Sequence, residues 1–104
     1  MTERLHTYAV AGLSTAHMSQ ADFELLTRRS SDADFPLITI PTAFGWLVYV
    51  YQLHTDEERQ YFWRDQGLSQ TFMAACLRAA RRGCKYADFD CDGVIYDDLP
   101  KEDW

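Results

Sequence analysis

Read for the spacing of its apolar positions, the chain divides into eight elements. Leu5 to Leu13 alternates loosely, with Leu5, Thr7, Ala9 and Ala11 set against His6, Tyr8 and Val10, which is the period of a strand. Ser19 followed by Asp22 resembles a capping box with an acidic third residue, and Phe23 and Leu26 share one face, so a short helix is predicted over 20–29. Leu37-Ile-Thr-Ile40 reads as a strand ended by Pro41. Phe44-Gly45 turns into Trp46–Tyr51, a run apolar on both faces, as in a central strand covered on both sides. Thr55-Asp-Glu-Glu58 is a second capping box, opening a helix that runs to about Gln66 and stops at Gly67. Ser69 caps a third helix with Phe72, Met73, Cys76, Leu77 and Ala80 on one face and Gly83 at its end. Lys85–Cys91 alternates as a strand, Asp92-Gly93 is a two-residue hairpin signal, and Val94–Tyr96 would return as a fifth strand. The expected architecture is α+β: a mostly antiparallel sheet of about five strands with about three helices packed on it, a single pair of layers. At 104 residues the chain is expected to form one domain, 1–104, with residues 97–104 as an acidic C-terminal tail.

Charge alters this picture at one end only. Residues 1–85 carry nine Lys/Arg and nine Asp/Glu, whereas residues 86–104 carry seven acids (Asp88, Asp90, Asp92, Asp97, Asp98, Glu102 and Asp103) and one base, Lys101. The whole net charge of −6 therefore sits in the last nineteen residues. Such a pole repels DNA and anionic lipid and favours a basic partner surface. On a strand Asp88, Asp90 and Asp92 would share one face, a carboxylate ridge imitating a phosphate backbone. Tyr86, Tyr96 and Trp104 would flank it as apolar anchors. Arg78, Arg81, Arg82 and Lys85 form a basic patch at a helix end that could dilute this field.

Candidate chemistry is thin. Asp90-Cys-Asp92-Gly93 resembles the first motif of haloacid-dehalogenase-type phosphatases, which would make Asp90 a nucleophile and Asp92 an acid. In that family the motif follows the first strand of the domain, and here twelve residues remain after Asp92. Asp88-x-Asp90-x-Asp92-Gly93 also resembles the start of an EF-hand loop, but the twelfth position, which needs a bidentate carboxylate, is Leu99. Ser14-Thr-Ala-His17 reads as turn and capping chemistry rather than a nucleophile with its base. Cys76, Cys84 and Cys91 lack metal spacing and read as reduced thiols. Tyr61-Phe62-Trp63 cannot all point inward from one helix. No catalytic residue, metal or cofactor is expected. The N-terminus lacks the apolar run of a signal peptide and no window approaches a membrane span, which predicts a cytoplasmic protein.

The Ser14-Thr-Ala-His17 segment, the strand Gly45-Trp-Leu-Val-Tyr-Val50 and the end Asp92-Gly-Val…Leu99-Pro-x-x-Asp-Trp104 resemble a family of small plasmid- and phage-borne proteins of unknown function. By size, charge and context the chain is also similar to anti-CRISPR-type inhibitors. That resemblance implies a non-enzymatic inhibitor whose acidic surface occludes the basic nucleic-acid channel of a host defence complex, a type I CRISPR surveillance complex being the suspected partner. It would do so in the cytoplasm of a bacterial host, without touching nucleic acid or membrane itself. The alternative is a protein-interaction or regulatory module of a mobile element, antitoxin-like or accessory, using the aromatic patch instead.

Overall fold

A computed structural model describes residues 7–104. Its elements are β1 (Val10–Ser14), α1 (Gln20–Arg29), β2 (Thr39–Thr42), β3 (Gly45–Tyr49), α2 (Glu57–Asp65), α3 (Gln70–Arg81) and β4 (Tyr86–Asp90), with single 3₁₀ turns at Thr15–His17 and Leu53–Thr55. The sheet order is β1-β4-β3-β2. β4, last in sequence, lies between β1 and β3, parallel to the first and antiparallel to the second. The α+β class stands, with three helices, but the sheet has four strands and is mixed.

The missing fifth strand has a geometric cause. Both edges of β4 are occupied by β1 and β3, so a chain returning from Asp92-Gly93 has no free edge to pair with. The turn itself forms, with the Gly93 N–H donating to the Asp90 carbonyl at 2.9 Å. Gly93 then passes so close over the end of β1 that an added Cβ would lie 2.2 Å from the Leu13 carbonyl oxygen. Val94–Tyr96 continues as irregular chain.

Other boundaries shift for local reasons. Pro41 does not end its strand: β2 runs Thr39–Thr42 straight through it, tolerated because β2 is an edge strand. α2 is capped by Asp56, whose side chain accepts from the Arg59 N–H, while the Thr55 hydroxyl donates to the Gln52 carbonyl inside the preceding turn. β1 begins at Val10 rather than in the segment from Leu5, and Leu5 and His6 lie outside the described residues.

The core lies on one side of the sheet. Leu13, Trp46, Val48, Ala87 and Phe89 point inward at alternate strand positions. Phe89 stacks on Phe72 of α3 at 5.1 Å, Phe72 meets Trp63 of α2, and Trp46 meets Phe23 of α1 edge-on. The apolar run of β3 is therefore covered on one side, not both. Its other alternate residues, Leu47 and Tyr49, lie half-buried on an outer face with Val10, Ile40, Tyr86 and Asp88. Among the described residues that face is covered near Tyr49, where the Arg59 guanidinium lies 5.3 Å from the ring.

Two buried polar side chains tie the elements together. Asp22 closes the capping box of α1 with Ser19, each side chain accepting from the other's backbone N–H, and it also accepts from the Ser69 N–H (2.8 Å) and the Ser69 hydroxyl. One carboxylate thus fixes the starts of α1 and α3 together. His17, fully buried, fixes the C-terminal segment. Its Nε2 accepts from the Tyr96 N–H and its Nδ1 donates to the Pro100 carbonyl, both at 2.9 Å. A backbone N–H can only donate and a carbonyl only accept, so the ring is held neutral with its proton on Nδ1. The Ser14 N–H donating to Val94 O, the Glu102 N–H to Ala16 O (2.7 Å) and Trp104 Nε1 to Met18 O complete the strap. Residues 97–104 are thus laid back across the end of β1, with Leu99 buried beneath.

Asp22→Ala leaves two backbone donors and a hydroxyl without their charged acceptor, and is expected to lower unfolding free energy by about 2–4 kcal/mol in urea titration. His17→Ala strands the Tyr96 N–H and the Pro100 carbonyl. We expect a smaller loss, about 1–3 kcal/mol, together with faster amide exchange across residues 94–104 than in the strands.

Candidate functional site

Polar and aromatic groups gather at one end of the molecule, where β1 and β4 both finish. Parallel strands leave their carboxyl ends side by side, and the chain must depart from both, which opens a crevice between the departing segments. Here those segments are the turn after β1, the turn after β4, the β2–β3 hairpin at Ala43-Phe44 and the C-terminal strap. They enclose a cleft of about 770 Å³. Its inner wall is Phe23, Trp46 and Trp104, with Phe23 5.7 Å from the Trp104 ring. Phe44 projects from the hairpin, and Gly45 is required there, because a Cβ would fall 1.8 Å from the Phe89 carbonyl oxygen. Glu102 and Asp103 bring carboxylates, Cys91 an exposed thiol.

The acidic residues singled out in the sequence divide into three groups. Asp88 and Asp90 alternate with buried Ala87 and Phe89 and so share the outer sheet face. Asp92 lies past the end of β4, where its N–H donates to the Asp90 carboxylate at 2.8 Å, so the three-carboxylate strand ridge is shortened to two residues and a turn. Asp97 and Asp98 lie on the strap toward α3, where Asp98 pairs with Arg78 at 2.9 Å. Among the described residues it is the one acid of residues 86–104 in an ion pair. Glu102 and Asp103 line the cleft. The acidic end is therefore not one continuous ridge, and the basic patch neutralises part of it.

Two of these carboxyls feel their surroundings clearly. The Arg78 hydrogen bond holds Asp98 below the usual carboxylate range. Asp88 is pushed up, first by burial between β1 and β3 and then by the charge of Asp90. Asp90, Cys91 and Asp92 place possible ligand atoms within 4.8 Å of one another, but all on a solvated turn with an internal hydrogen bond. Cys76 is a poor nucleophile: burial raises its thiol well above the ordinary value and the Asp22 charge adds to that.

The aromatic anchors also separate. Tyr86 lies on the outer face edge-on to Tyr49, with ring centres 5.5 Å apart. The Tyr96 hydroxyl donates to the Gly12 carbonyl. Trp104, half-exposed, forms a cleft wall. In the Tyr61-Phe62-Trp63 run, Trp63 turns into the core, while Tyr61 and Phe62 stay exposed with their rings 5.8 Å apart. Ser14 accepts from the Ala16 N–H as a turn cap, and His17 points away from it into the strap. Sequence reasoning missed Phe23, Phe44 and Trp46 as site residues. The cleft joins five separate segments, and the one local sign of it was Phe44-Gly45.

No curated protein and no solved structure matches the chain. Residues 10–104, from the first residue of β1 through the strap, match the C-terminal domain of a family of unknown function, DUF5983, and the chain belongs to that family.

Proposed function

We propose that this domain is a non-enzymatic binding module for a basic protein surface of the kind that otherwise holds nucleic acid. In that role it acts as an inhibitor of a nucleic-acid-targeting complex, with a type I CRISPR surveillance complex as the first partner to test. The observation that carries the proposal is the placement of Asp88 and Asp90, both partly exposed, on the sheet face opposite the core. Asp is a poor strand former, two like charges on one strand repel, and burial penalises the charge of Asp88. Asp90 gains a turn hydrogen bond from the Asp92 N–H, but among the described residues Asp88 makes no side-chain hydrogen bond or ion pair that offsets its charge. Together with Asp92 they hold a field over a flat surface that also offers Tyr49 and Tyr86, rigid rings of the type that dominates binding energy.

A second reading has its own support. Tyr61 and Phe62 expose 63% and 45% of their surface side by side on α2. A regulatory or accessory module would use them as an apolar contact whose strength varies little with salt.

Competition assays separate the two. If the acidic face is the contact, the chain displaces DNA from the surveillance complex, weakens steeply with added salt, and loses about tenfold or more in potency when Asp88, Asp90 and Asp92 all become Asn in a still-folded protein. Unchanged potency in that triple variant eliminates the acidic mechanism. Loss on Tyr61→Ala/Phe62→Ala instead selects the second reading.

The Asp88 charge also leaves a signature in stability. A carboxyl whose folded pKa is raised binds its proton more readily in the folded state, so stability falls as pH rises through the interval from the unfolded to the folded value. Asp88→Asn is therefore expected to raise Tm at neutral pH, and the gain should fade as pH drops below the ordinary Asp value of about 3.9. Thermal melts of both proteins across that interval test it.

A further inference from the structure

We infer that the cleft at the carboxyl ends of β1 and β4 receives one arginine side chain of a basic partner. The inference rests on the proposed function for the sign of the partner's charge and adds the place and mode of recognition.

Two observations point to a guanidinium. The first is composition: the cleft joins aromatic rings (Phe23, Phe44, Trp46 and Trp104) to the acidic residues Glu102 and Asp103, and among the described residues none that lines it is basic. Aromatic faces attract a cation through the ring quadrupole, and carboxylates pair with a guanidinium fork. Arginine fits both demands because its head is planar, stacks on rings and presents paired donors. The second is size. About 770 Å³ exceeds what one side chain fills and leaves room for the flanking peptide.

The walls are held in place before any ligand arrives. Trp104 is fixed by its Nε1–H donating to the Met18 carbonyl at 3.0 Å, Glu102 by its N–H on the Ala16 carbonyl, and the Phe44 carbonyl accepts from the Cys91 N–H at 2.9 Å. Backbone and indole groups are used for this, so both acidic side chains stay free for a cation. A preformed site binds without an ordering penalty.

Cys91 provides the readout, because it is exposed in the cleft while Cys76 and Cys84 are buried. The rate of Cys91 alkylation by iodoacetamide and the tryptophan emission, to which the cleft residues Trp46 and Trp104 contribute, should both respond to acetyl-Gly-Arg-Gly-amide at millimolar concentration. The same peptide with citrulline, neutral and nearly isosteric, should leave both unchanged. Glu102→Gln/Asp103→Asn should weaken the arginine peptide about tenfold, the effect of losing a charge-assisted hydrogen bond. Asp88→Asn/Asp90→Asn, on the sheet face, should leave it within about twofold, a change too small for a lost contact. Circular dichroism and tryptophan emission without peptide verify that the variants keep the fold. Equal protection by citrulline, or none by arginine, overturns the inference. The parent reading is judged separately, by competition with the sheet-face variant. It survives a cleft that ignores arginine, and a cleft that holds arginine survives a chain that inhibits no nucleic-acid-binding complex.

Discussion

Everything at the candidate site depends on the double hydrogen bond of His17. A buried imidazole with a backbone donor on one nitrogen and a backbone acceptor on the other is a rigid link between parts of the chain 79 and 83 residues apart. It does what a fifth strand would have done, holding the C-terminal segment against the sheet, but from the end rather than the side. A strand would have carried the terminal acids along an edge. The strap lays them across the top, so that Glu102 and Trp104 face Phe44 and Trp46 over a cleft. The neutral tautomer is part of this design, because an imidazolium has no lone pair to offer the Tyr96 N–H.

The second constraint is the position of β4. Inserting the last strand into the centre of the sheet, parallel to the first, produces the acidic sheet face and the cleft at once. It puts Asp88 between Gly12 and Leu47, where a carboxyl is partly desolvated and repelled by Asp90. It also ends β1 and β4 side by side, which opens the crevice beyond them. The core lies on one face, so among the described residues the other keeps its tyrosines, aliphatics and acids at least partly exposed.

Much of this was legible. Ser19 with Asp22 and Ser69 with its apolar face located α1 and α3 because caps act through neighbours in sequence. Gly67 and Gly83 marked helix ends through the positive φ they adopt. The errors lie where the outcome depends on distant chain. Asp92-Gly93 makes its turn, yet whether a strand follows depends on a free edge, which local signals do not report. Pro41 reads as a terminator until β2 is known to lie at the edge. The apolar run at Trp46–Tyr51 reads as doubly covered because nothing in it states that the helices all pack on one side. His17 reads as turn chemistry from the sequence because its two partners lie beyond residue 95.

The same reasoning applies to the charge. Summed along the sequence, seven acids at one end look like a single pole. Folded, Asp98 is spent on Arg78, the Asp90 carboxylate accepts from the Asp92 N–H, and Glu102 and Asp103 line the cleft. What is left is two smaller arrays of different character. Asp88 and Asp90 stand on a flat face beside tyrosines, suited to long-range attraction of a broad basic surface. Glu102 and Asp103 stand at the mouth of an aromatic crevice, suited to a single cation at close range. A partner with a basic surface and one protruding arginine would use both, the first array setting how fast it arrives and the second how long it stays.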